Sequence, residues 1–120
     1  MLSVQMAESP MGATALPSLP ILHALALHLT ATHHGYARPF APLVEDDAPL
    51  DVSLPMNGKT IAVTGTERLE HPAHALDSGF AERFWQMNHH YGWWGIALLE
   101  AVLRLADQSA SANPQAIAKA

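Results

Sequence analysis

From Trp93 to Ala106 only Glu100 and Arg104 carry charge, and nearly every other side chain is apolar. A helix of that composition has hydrophobic groups around most of its circumference, which predicts a segment buried in a core. Glu100 and Arg104 are four residues apart, the spacing at which opposite charges on one helix pair. The whole chain shares this balance. Its residues are 49% hydrophobic and 14% charged, which suits packing rather than disorder. At 120 residues there is room for about one domain.

Met1 to Ala7 places Leu2, Val4 and Met6 among small polar residues and is cut by Ser9-Pro10 and Gly12, so it reads as the tail of an element without a partner. From Leu19 to Thr32 the stripe Leu22, Leu25, Ala26 and Leu29 predicts an amphipathic helix, with Ser18 as N-cap and Pro20 in the first turn. Gly35 and Pro39 predict its end near His34-Gly35. Three prolines and an acidic run make residues 36–50 a loop. Asn57-Gly58, flanked by 51–56 and 59–64, predicts a β-hairpin, because both central residues tolerate positive φ. Gly65 to Leu76 reads as a connection. Asp77-Ser78 is placed to cap a helix from Gly79 to Tyr91 on the stripe Phe80, Phe84, Met87 and Tyr91, which Gly92 then breaks. Ser109 to Ala120 has no period and predicts a fraying tail. The fold class expected is mainly α with a small β-hairpin insertion.

Cysteine is absent, so any metal would be held by nitrogen and oxygen donors. Eight histidines turn attention to imidazole. His33 continues the Leu22, Leu25, Leu29 stripe by one step and points to the same side, where a buried ring must hydrogen-bond or coordinate. An HHG triplet closing an apolar helix points to a ligand pair as much as to ordinary core histidines. His89 and His90 lie off the Phe80, Phe84, Met87 stripe and read as solvated, and His23, His28, His71 and His74 read as ordinary core or surface residues. Asp107 falls between Glu100 and the Ile96 and Leu103 side of its helix, so periodicity leaves its burial open. A net charge of -5 gives no basic footprint for unaided nucleic-acid binding. No stretch of about 18 apolar residues occurs, and a cytoplasmic location with no membrane partner is expected.

Two blocks, THHGYARPFAP at 32–42 and LDSGFAERFWQMNHHYGWWGIALLEAVLRLAD at 76–107, together resemble the second half of the HD nuclease domain of type I CRISPR-associated helicase-nucleases. The resemblance covers roughly Leu19 to Asp107. It implies that residues 1–107 form the C-terminal part of an HD-type helical bundle, with 108–120 as a flexible tail. It also implies metal-dependent cleavage of single-stranded DNA in antiviral defence, using one or two divalent transition metals such as Mn, Fe, Co or Ni. His33 and His34 match the family's paired metal-binding histidines, Asp107 its late metal-binding aspartate, and Arg38 lies where substrate would pass.

The family's first ligand histidine, its His-Asp pair and a further histidine belong to a segment upstream of the matched region and have no counterpart here. Gln108-Ser109 and His89-His90 also stand where relatives often carry positive charge. The resemblance therefore implies a chain inactive by itself, a fragment or split-gene product completed by an N-terminal HD half, a helicase domain and the CRISPR surveillance complex. Two other classes compete with it: an HD-type nucleotide phosphohydrolase fragment, and a non-catalytic helical module docking through its apolar faces. Exposed apolar surface is expected of the isolated chain.

Overall fold

The computed structural model describes residues 2–43, 46–56, 58–70 and 72–112. Its elements run α1 (Leu2–Glu8), α2 (Pro10–Ala13), α3 (Pro20–Thr32), β1 (Val52–Met56), β2 (Lys59–Val63), α4 (Gly65–Glu70) and α5 (Phe80–Ala112). The architecture is mainly helical with one two-stranded antiparallel sheet.

The centre of the fold is α3 laid against α5, with α1 packed on α3. Val4, Ala31, Ala37 and Phe80 form a buried cluster, with Ala73 against it. Small residues at 31 and 37 let α1, α3 and the first turn of α5 approach one another closely. Along α5 the expected stripe is buried as read: Phe80 and Phe84 are covered, Met87 fully so, and Tyr91 is half-buried. Arg83 of α5 reaches back to Glu8 of α1. The opening segment is thus an element with a partner, contrary to the expectation from sequence, because Val4 supplies an anchor that fits the small-residue gap on α3.

Helix α3 has the predicted range, but its N-cap is Leu19, with no side-chain cap, rather than Ser18; Pro20 at the first position removes one donor that would need capping. Its buried face is Leu27, His28, Ala31 and Thr32, while Leu22 is 40% exposed and Leu25 and Leu29 only half-buried. Helix propensity and spacing fixed the element, but α1 and α5 select its smaller, more polar side, since close packing favours Ala31 and Thr32 over bulky leucines. At its end, Gly35 takes φ +86° and donates its N–H to the Thr32 carbonyl, as a C-terminal glycine does.

The region read as a connection contains α4. Its start is a reciprocal cap: Glu67 Oε2 accepts from the Thr64 backbone N–H at 2.8 Å while Thr64 Oγ1 accepts from the Glu67 N–H at 3.2 Å, and Asp51 Oδ1 accepts from the Gly65 N–H at 2.7 Å. The hairpin pairs Val52 with Val63 and Met56 with Lys59, and Gly58 has φ +75°. Asn57 lies outside the described residues. Ile61 and Val63 alternate into the interior.

Helix α5 departs from helical geometry at Gly92, with φ 70° and ψ 165°, which is the break expected there. Gly79, rather than the side chains of Asp77 or Ser78, supplies the first carbonyl, accepting from the Arg83 N–H. Beyond Asp107 the helix continues to Ala112. Ser and Ala in 109–112 are compatible with helix. The rest of the expected tail, 113–120, lies outside the described residues.

The segment after Gly92 is not enclosed. Ile96 and Glu100 are buried, but Trp93, Trp94, Leu98, Val102 and Leu105 are all more than half exposed. α3 covers one side of this helix and no described element covers the other. Met87 has no exposed surface; Met87→Ala should cost about 2–5 kcal/mol, read as a lowered urea midpoint.

Candidate functional site

Two groups of polar side chains lie where α3, its following loop and α5 meet. The first is buried. His28 is 2% exposed and Glu100 5%. His28 Nε2 lies 2.7 Å from Glu100 Oε1, and Arg38 Nη2 lies 2.8 Å from Glu100 Oε2. Both carboxylate oxygens are thus occupied, one by a helix and one by the loop that follows HHG. Since a carboxylate only accepts, the neutral His28 ring donates from Nε2.

Ala37 sets Arg38 in place. It is buried and takes φ +58°, a left-handed conformation costing an alanine about 1 kcal/mol, while its methyl packs with Val4, Ala31 and Phe80. The chain reverses there and carries the guanidinium back to Glu100. The expected Glu100–Arg104 pair does not form. Arg104 instead lies beside Gly35, where an added Cβ would stand 3.2 Å from its Nη2. The interhelical and loop contacts win because Glu100 faces the interior, where an unpaired carboxylate would be far more costly than an exposed arginine.

Burial lowers the His28 pKa below its ordinary value of 6.5, because desolvation penalises the imidazolium; the hydrogen bond and charge of Glu100 pull the other way, and Arg38 and Arg83 reinforce burial. His28 is therefore neutral near pH 7.

The second group is the pair that closes α3. The rings of His33 and His34 stand 3.8 Å apart between centroids, tilted by 41°. His33 is half-buried and His34 exposed. His33 Nδ1 is 2.7 Å from the Thr30 carbonyl. A carbonyl only accepts, so Nδ1 carries the proton, and in the neutral ring the lone pair is left on Nε2. This is the arrangement of a ligating histidine oriented by a backbone acceptor. It also satisfies one of the carbonyls that a helix end leaves without an N–H.

The other expected site residues sit differently. Arg38 is engaged with Glu100 while its side chain stays 42% exposed. Asp107 is exposed, within α5 rather than at its end. Among the described residues no group of three or more His, Asp or Glu side chains converges to hold a metal ion, so His33 and His34 are brought together and Asp107 does not join them. The donors present fit part of a metal site, two imidazoles of suitable chemistry, and not a closed one. His89 and His90 are exposed, His23 and His74 are half-buried, and His71 lies outside the described residues.

The buried triad was missed by reading residues along single helices. Its signal was available: a lone acid in an apolar helix requires a partner, and His28 shares a helical side with Ala31 and Thr32, the small residues against which another helix can close.

Glu100→Ala leaves His28 without an acceptor and Arg38 unpaired. It should cost about 3 kcal/mol, the low end for a broken buried pair because Arg38 reaches water, while Arg104→Ala should change stability by no more than about 0.5 kcal/mol. Both are read by chemical denaturation. Because the folded pKa of His28 is depressed, the unfolded chain takes up a proton near pH 6.5 that the folded chain takes up only at lower pH. Its contribution is therefore fully present above pH 6.5 and is lost as pH falls through the folded value. Thermal melting should fall on that acid side, and His28→Gln, which keeps a donor but does not titrate, should show a smaller fall.

Among the described residues, no helix is long and apolar enough to cross a membrane. Compared with protein-family models, curated proteins and solved structures, the chain matches none.

Proposed function

We propose that this chain is a component of a metal-dependent HD-type nuclease acting on single-stranded DNA in CRISPR antiviral defence, completed by ligands from another segment or polypeptide. The observation that carries the reading is the set of the HHG histidines: His33 donates Nδ1–H to the Thr30 carbonyl, keeps its Nε2 lone pair, and has His34 beside it. The sequence resemblance, with HHG-x-x-RPF preceding YGWWG and LRLAD, supplies the reaction class.

In this reading His33 and His34 bind a divalent transition metal, Mn, Fe, Co or Ni, and Asp107 is drawn toward it only when the complementing segment is present. Such a metal, one ion or two, would supply an activated water and stabilise charge on the scissile phosphate. The chain's own contribution is orientation. The Thr30 carbonyl fixes the His33 ring, and the Glu100 clamp on Arg38 holds the loop after His34. The exposed part of the Arg38 guanidinium is available to a phosphate oxygen. The complementing N-terminal HD half covers the Leu22, Leu25 and Leu29 side of α3, which leads to His33.

A second reading is favoured by one observation, the exposure of Trp94, Leu98 and Leu105: a helical interaction module with no chemistry of its own.

Calorimetric titration of the chain with Mn²⁺, Co²⁺ and Ni²⁺ separates the two. The nuclease component should bind weakly, lose on the order of 10-fold or more in affinity on His33→Ala, and leave single-stranded DNA uncut when alone. Absence of binding, or binding indifferent to His33→Ala, supports the interaction module instead.

A further inference from the structure

Arginine does not shed its proton in a protein, so a guanidinium without a carboxylate is a fixed positive charge that an anion can answer. The chain has six Lys and Arg residues. Arg68 is held by Asp46 and Arg83 by Glu8. Lys59 stands exposed on the hairpin, and Lys119 lies outside the described residues. The remaining two, Arg38 and Arg104, come to the same loop.

Arg104 reaches that loop because residue 35 has no side chain. A Cβ on Gly35 would stand 3.2 Å from Arg104 Nη2 and 3.9 Å from its Cζ, so the guanidinium lies against bare backbone directly after His34. The partial negative charge at the end of α3 favours a cation there. Among the described residues Arg104 makes no hydrogen bond or ion pair, neither with Glu100, whose oxygens are taken by His28 and Arg38, nor with Asp107 one turn on. Arg38 is laid on Glu100 by the turn at Ala37, with 42% of its side chain exposed. Glu100 and Arg104 are one helical turn apart, about 6 Å along α5. Two cations are thus anchored at neighbouring turns of one helix, beside His33 and His34.

We propose that Arg104 is a positioning residue which, with Arg38, binds a phosphodiester of single-stranded DNA and sets the strand beside the histidine pair. The inference deepens the nuclease reading and rests on it for the identity of the anion. Charge selects the place: a chain of net charge -5 repels a polyanion over most of its surface, and here two arginines share a single carboxylate. Chemistry selects the residue. A guanidinium offers paired donors that match two oxygens of one phosphate. Arg38 has committed one edge to Glu100, whereas Arg104 keeps its fork for a ligand. The fold gives Arg104 no other employment, since its removal leaves no buried group unpaired.

The test is nuclear magnetic resonance of the full chain titrated with hexathymidylate, without metal, following the Nε–Hε signals of its four arginines. The Arg104 signal is identified by its loss in Arg104→Lys. The Arg38 and Arg104 signals should move along one binding curve while those of Arg68 and Arg83 stay still. Arg104→Ala should weaken binding about 5-fold, the effect of one partly exposed ion pair, and lower the slope of log affinity against log salt by about 0.7. Lys59→Ala removes the same charge elsewhere and should change neither. No movement at Arg104, equal movement of all four arginines, or equal weakening by Arg104→Ala and Lys59→Ala overturns the proposal. The signals of the unsubstituted chain decide the matter even if a variant folds poorly. Because no metal is present, they can move in a chain that binds no Mn²⁺, Co²⁺ or Ni²⁺ and stay still in one that does, so this proposal and the nuclease reading fail separately.

Discussion

The carboxylate of Glu100 is what the rest of this arrangement depends on. It is the only acid buried among the described residues, and its two oxygens are held by a histidine from α3 and an arginine from the loop that follows. A charge in that position is tolerable only while both partners are present. The packing of α3 on α5 and the path of the HHG loop are therefore set together. Arg38 reaches Glu100 through the left-handed turn at Ala37, whose methyl belongs to the cluster that also anchors α1. One electrostatic knot thereby ties the first helix, the central helix, the loop and the last helix.

This knot lies directly beneath the histidine pair in the chain's logic. The loop that leaves His34 is the one Glu100 clamps, and the helix that presents His33 is the one His28 fastens. The candidate ligands are thus mounted on a rigid support although they lie near the surface. Support and site have different chemistry: the triad satisfies itself internally, whereas His33 retains an unused lone pair.

Much of the architecture was legible in the residues. The spacing of Phe80, Phe84 and Met87, the hairpin with its left-handed Gly58, Gly35 at the end of α3 and the break at Gly92 each have a local cause, and local causes can be read along the chain. What escaped were choices between faces. Leu22, Leu25 and Leu29 form the more hydrophobic side of α3, yet the side carrying Leu27, His28, Ala31 and Thr32 is buried, because α1 and α5 approach small residues more closely. Glu100 was assigned to Arg104 by spacing within one helix, whereas its partners come from two other segments. The short helix α4 was passed over although Thr64 and Glu67 carry the capping signature. For the candidate site, the adjacency of His33 and His34 followed from sequence; the carbonyl that orients His33 required the helix end, and the placement of Asp107 required knowing that α5 runs on to Ala112.

Gly92 has one more consequence. Its φ of 70° and ψ of 165° belong to a region of backbone space essentially closed to other residues, while an added Cβ there would meet nothing within 4 Å. The restriction is therefore torsional rather than spatial, and it resets the rotational phase of α5. Upstream of the reset the helix aims its aromatic ridge inward. Downstream, Ile96 and Glu100 still face inward while the ridge that begins at Trp94 swings outward, so a single backbone torsion decides which aromatic side chains of one long rod are covered and which stay at the surface.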